Sequence, residues 1–125
     1  MSSVSANGRF AIHATTPDAW ARDRLQGEYR PPSLAREGFV HASWPDQLPG
    51  TLARFFAGAN EVIAVVLDVR ALGDRLVCED TSGHGEFPHV YGAISDAAIV
   101  AVHRLARQAN GVFGAPRDWL VGSGP

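Results

Sequence analysis

The hydrophobic and polar positions of this chain change their period several times, and each change predicts an element. GRFAIHATT reads as a first strand over about residues 9–14. Thr16, Pro17 and Asp18 then form a helix start. They supply a hydroxyl that can cap, a proline suited to the first helical position, and a carboxylate favoured at the positive end of the helix dipole. The spacing predicts a helix over Pro17–Gln26 that buries Trp20 and Leu25 and stops at Gly27. EYRPPSLAREG, residues 28–38, is expected to be a loop, because two adjacent prolines remove backbone donors.

GFVHAS, residues 38–43, is the second strand. Ser43 is expected to cap the next helix, with Asp46 at the third helical position in a capping-box arrangement. Leu48, Leu52, Phe55 and Phe56 recur at helical spacing and predict a core-facing helix to about Ala57, bent or delayed by Pro49. EVIAVVLDV is a nearly continuous apolar, β-branched run, which suits a central strand covered on both faces. A short strand over 75–79 follows, then a glycine-rich loop expected to be mobile, TSGHGEF, then strands in HVYGAI and AIVAVHRL. The tail is rich in glycine and proline; Phe113 and Trp119 are expected to pin it, while its end frays. With about six strands and two helices near the N-terminus, the pattern predicts one α+β domain over residues 1–125, its tail being 106–125.

Composition narrows the function classes. A net charge of -2 argues against an extended nucleic-acid surface but leaves room for a small basic pocket. Cys78 is the single cysteine, which forbids an intrachain disulfide and reads as a buried apolar thiol. The longest apolar run, VIAVVL, is too short for a bilayer, and MSSVSANGRF lacks a signal-peptide pattern, so a cytoplasmic location with no membrane partner is expected. Oligomeric state is not encoded in any pattern of this chain.

The candidate chemistry lies in histidines on predicted strands. Alternation puts Phe39, His41 and Ser43 on one face, with Val40 and Ala42 on the other. His89 and Tyr91 likewise share a face, and His13 lies in AIHATT between Ile12 and Ala14. Three strands, each carrying an imidazole, could converge on one cleft for a small-molecule ligand. His84 reads as a solvated loop residue, and His103, late in the last strand, as a surface residue. His13, Ser43 and Tyr91 can donate hydrogen bonds to a phosphate or nucleotide-like molecule, and Arg30, on a stiff loop, has the fork geometry for phosphate. Gly38 and Gly92 either let a ligand approach the backbone or serve turns and bulges. Glu79 or Glu86 beside His89 would make an acid–base pair, with His41 and His89 as the proton-moving groups. A zinc site from three imidazoles is the weaker alternative, since no local ligand spacing such as HExxH is present. A Ser43 nucleophile lacks the surrounding elbow motif.

IHATT, EGFVHAS with the downstream Gln47, FFAG, VVLDV, LVCED and FPHVYG occur in an order that resembles the domain-of-unknown-function family 952, over about residues 9–105. The resemblance implies a fold similar to the ADP-ribosyltransferases, a split sheet with NAD or a related nucleotide as ligand in the cleft between two small sheets. On that alignment His13 matches the first position of the transferase pattern, the Gly38–Ser43 strand the second, and the region of His89 the third. The chain departs from the pattern there, offering histidine where the transferases carry glutamate. The implied function is a pocket for a nucleotide-like or phosphate-bearing molecule, with group transfer or a non-catalytic binding module as the alternatives.

Overall fold

The structure, a computed structural model, describes residues 9–113. In chain order it runs β1 (Phe10–Thr15), α1 (Pro17–Asp23), β2 (Arg24–Leu25), β3 (Glu28–Tyr29), α2 (Pro32–Glu37), β4 (Val40–His41) and α3 (Leu48–Phe55). β5 (Glu61–Asp68), α4 (Val69–Leu72), β6 (Leu76–Glu79), β7 (Phe87–Val90), β8 (Ile94–Ser95) and β9 (Ile99–Ala106) follow. The strands form three small antiparallel sheets ordered β1-β5-β9, β2-β3-β8 and β4-β7-β6. The mixed α and β character matches the sequence expectation, with nine strands and four helices among the described residues rather than six and two.

β5 is the middle strand of its sheet and is covered on both faces, as its β-branched run predicts. Ile63, Val65 and Leu67 enter one core with Tyr29, Val40, Val90 and Ile94. Val62 and Ala64 enter a second with Ile12, Leu48, Leu52 and Leu105. Each large aliphatic side chain buried this way contributes roughly 1.5–3 kcal/mol. Phe113 packs against the second core, as expected; Trp119 and the tail beyond residue 113 lie outside the described residues.

Several local expectations are corrected. α1 ends at Asp23, not Gln26, because Arg24 and Leu25 pair with Tyr29 and Glu28 in a hairpin. Gln26 and Gly27 turn it with φ of 53° and 83°, the positive pair that a two-residue hairpin loop requires. Leu25 is therefore 69% exposed instead of buried, while Trp20 packs half-buried against the first core. Residues 32–37 are helical despite the prolines. Pro31 is the cap residue and Pro32 opens the helix, where a missing N–H breaks no bond.

Ser43 does not cap a helix. Its backbone pairs with Ile12 in both directions at 2.8 Å, extending the edge of β1, and its hydroxyl lies 2.7 Å from the Thr51 hydroxyl. Gln47 makes the local turn instead: its Oε1 accepts from the Trp44 N–H at 2.9 Å and its Nε2 donates to the Glu86 carbonyl at 2.7 Å. Asp46 is exposed, so no capping box forms, and α3 starts only at Leu48. Phe55 faces outward at 68% exposure. Cys78 is exposed on the edge strand β6, not buried, and partial desolvation and the Glu86 carboxylate push its thiol up, away from reactivity. His84 is exposed and His103 is half-buried. No helix among the described residues is long and apolar enough to cross a membrane.

Candidate functional site

β4 and β7 pair so that Val40 stands opposite Val90 and His41 opposite His89. Alternation then sends the two valines into the first core and turns Phe39, His41, His89 and Tyr91 to the other face. The rings touch. Phe39 stacks on His89 with centroids 4.1 Å apart and planes 15° from parallel. His41 meets His89 edge to face at 5.3 Å, and Phe39 lies 5.3 Å from Tyr91. His13 arrives from β1, its Nδ1 2.6 Å from the His41 carbonyl. The three strand histidines are thus neighbours, although 76 positions separate the first from the last along the chain (89 − 13 = 76).

Each imidazole has a defined partner. The His41 carbonyl can only accept, so the proton of His13 sits on Nδ1, and its Nε2 accepts from the Tyr29 hydroxyl at 2.8 Å. Burial lowers the His13 pKa to about 4 and raises that of Tyr29 to about 12, so both are neutral near pH 7. His41 is exposed and its Nε2 lies 2.6 Å from the Glu37 carboxylate, four residues away. His89 is buried, and its Nδ1 lies 2.9 Å from Oε2 of Glu79. Tyr91 donates its hydroxyl to that same oxygen. The Tyr91 bond first, and the His89 bond second, hold the Glu79 carboxyl below its usual range, while Glu79 pushes the Tyr91 phenol up. Glu79 accepts from Nδ1, which leaves His89 Nε2 as the nitrogen without a hydrogen-bond partner among the described residues.

His13, His41 and His89 line a cavity of about 400 Å³, together with Thr15, Tyr29, Ser43, Thr51 and Phe87. The β1 edge gives one wall and the β4–β7 pair another, with α1, α2 and α3 supplying Arg22, Arg36 and Arg54. Asp23 takes Arg22 at 2.9 Å. Arg36 and Arg54 form no ion pair with a described residue.

The remaining expected residues stand elsewhere. Glu79 contacts His89 and Tyr91 contacts Glu79, but neither lines the cavity. Arg30 is outside it, because Glu28 holds its Nε at 2.7 Å on the exposed surface. Gly38 ends α2 with φ 89° and donates to the Leu34 carbonyl, which is a turn role. Gly92, with φ 138°, packs against Arg75 and also lies outside the lining. Glu86 contributes its carbonyl to Gln47 rather than a carboxylate to His89.

Sequence reasoning missed Tyr29, Glu37, Arg36 and Arg54. Only Glu37 had a signal, its spacing of four from His41. No group of three or more His, Cys, Asp or Glu among the described residues is arranged to hold a metal ion.

The crystal structure of protein CC0527 from Caulobacter crescentus is similar to this chain, with a TM-score of 0.74 and 24% identity, covering 84% of this chain and 93% of that one. A double mutant of the same protein gives 0.74 at 23% identity over the same shares. Its solution NMR structure gives 0.71 at 24% identity over 82% and 90%. At these identities the likeness establishes the fold alone. No curated protein matches the chain. A family model described as Protein of unknown function (DUF952) matches residues 14–102.

Proposed function

The chain belongs to the DUF952 family, and we propose from the geometry of its cavity that it binds a small nucleotide-like or phosphate-bearing molecule. One observation carries this reading. His13, His41 and His89 meet on a cavity of about 400 Å³ that also holds Arg36 and Arg54, neither of them in an ion pair with a described residue. That volume falls within the range of small-molecule sites. Guanidinium groups donate to phosphate oxygens through two parallel bonds.

Group transfer is the catalytic form of the proposal, with His41, His89 and Glu79 as its residues. A carboxylate that fixes Nδ1–H of a histidine leaves Nε2 as the base, which is how a general base is oriented. The ADP-ribosyltransferase-like architecture belongs to this form. β1 lies in one small sheet and β4 and β7 in another, with the cavity between them, much as NAD is held in those enzymes. His89 stands in for their glutamate and Glu79 acts through it. With NAD as donor, His89 Nε2 takes the proton of an acceptor hydroxyl and the bond from the ribose C1′ to nicotinamide breaks. Neutral nicotinamide leaves, and the acceptor oxygen bonds to C1′.

The non-catalytic module is the second reading, and one observation favours it. Both nitrogens of His13, and one nitrogen each of His41 and His89, already have protein partners, so most of the imidazole capacity is spent on holding the wall.

Thermal melting with NAD, ADP-ribose, adenosine monophosphate and inorganic phosphate tests the binding claim. At a ligand concentration of about 100 Kd the stabilisation is roughly 2.7 kcal/mol, a rise of several degrees. His41→Ala and His89→Ala are expected to lose it, and His84→Ala, in the exposed loop, to keep it. No shift with any of the four ligands would end the reading. Incubation with NAD and product analysis from pH 5 to 9 then separates the two forms: binding without nicotinamide release selects the module.

A further inference from the structure

Helix α3 carries an aromatic ring that the core does not use. Leu48 and Leu52 are buried and Phe56 packs on the second core, yet Phe55 is 68% exposed. Its exposure is not idle surface, because Phe55 lines the same cavity as the histidines. Phe87, half-buried at the start of β7, lines it too. Between the two rings lies the guanidinium of Arg54, 5.6 Å from the Phe55 centroid and 5.7 Å from that of Phe87. Two phenyl rings bridged by a flat cation offer stacking surfaces on the cavity wall. Imidazoles and a tyrosine line the same cavity. Nucleobases stack on phenyl and guanidinium planes alike, without needing a hydrogen-bond code.

We propose that Phe55, Arg54 and Phe87 form a nucleobase seat, so that the ligand is a nucleotide with its phosphate-bearing part toward the histidines rather than a bare sugar phosphate. This rests on the reading of the cavity as a site for a phosphate-bearing molecule, and it adds the part of the ligand that sets affinity. Stacking of one base is worth roughly ten- to hundred-fold in affinity.

Calorimetric titration of the full chain with adenosine, guanosine and uridine monophosphates and with ribose 5-phosphate tests it. At least one nucleotide is expected to bind tenfold or more tighter than ribose 5-phosphate. Phe55→Ala removes that advantage and leaves ribose 5-phosphate unchanged, while Phe55→Trp preserves it. A melting temperature of Phe55→Ala close to wild type shows that the fold is intact, as the exposure of the ring predicts. Equal affinities for nucleotides and ribose 5-phosphate in the wild type, or an equal loss for both in Phe55→Ala, overturn the base seat while the phosphate site stands. Absence of binding by all four ligands overturns the site and the seat together.

Discussion

His13 shows how one buried residue ties the cavity to stability. Its ring is 7% exposed and held at both nitrogens, with its pKa lowered from 6.5 to about 4 by burial. A histidine depressed in the folded state binds fewer protons there than when unfolded. Stability is therefore unaffected above about pH 6.5 and falls as the pH drops from there toward 4. The shift corresponds to a loss on the order of 3 kcal/mol across that window. Urea unfolding at pH 7 and pH 4.5 is expected to show it, and His13→Gln, though less stable at pH 7, should show a smaller difference between the two. An equal acid loss in both proteins would refute the assignment. Alternation along a strand made the shared face of Phe39 and His41, and that of His89 and Tyr91, legible from sequence. The arginines were not legible. Arg36 and Arg54 reach the cavity through the docking angles of α2 and α3, which no local pattern encodes. Arg30 was drawn the other way by Glu28, two residues earlier.

At the scale of elements, the sequence was readable where an element is long and followed one rule, and misread where two rules compete. β5 declares itself through eight residues with buried side chains on both faces. β2, β3, β4 and β8 have two residues each, too short to display any period. Ser43 could cap a helix or extend a sheet, and the sheet won through its reciprocal bonds with Ile12. α2 was hidden because adjacent prolines usually break structure, whereas here they sit before and at the first helical position. What ends α2 is Gly38, with φ 89° and open space where a Cβ would go. Gly38→Ala is therefore expected to act through backbone strain alone, costing about 1–2 kcal/mol. The denaturant midpoint measures this. A much larger loss would mean hidden crowding, and no loss would mean that α2 can end without the left-handed turn. The turn also sets Glu37, the last residue of α2, against His41, so a change in the His41 ring chemical shifts by NMR should accompany the substitution.

Over the whole molecule, one arginine joins parts that the sequence shows as separate. Beyond β9, Arg107 donates from Nε to the Ala59 carbonyl at 2.8 Å and from one terminal nitrogen to that of Gly111 at 2.7 Å. Its other terminal nitrogen reaches the Phe56 and Ala57 carbonyls at 2.7 and 2.6 Å, and the guanidinium carbon lies 4.5 Å from the Phe113 ring centroid. The Phe56 and Ala57 carbonyls follow the end of α3, a region where helical acceptors run out of partners and the dipole favours a cation. Arg107 therefore caps a helix from some fifty residues away, and that helix carries Thr51, Arg54 and Phe55 of the cavity wall. A lysine supplies one small ammonium and cannot span four carbonyls. Arg107→Lys is expected to lose about 1–3 kcal/mol, a drop of several degrees in melting temperature. Arg70→Lys, on the exposed surface, should lose almost nothing. Hydrogen exchange distinguishes this cap from general softening: protection in Arg107→Lys should fall at Leu48–Phe55 while β5 amides stay protected. Uniform loss across both elements would mean that Arg107 supports the whole fold rather than the wall of its cavity.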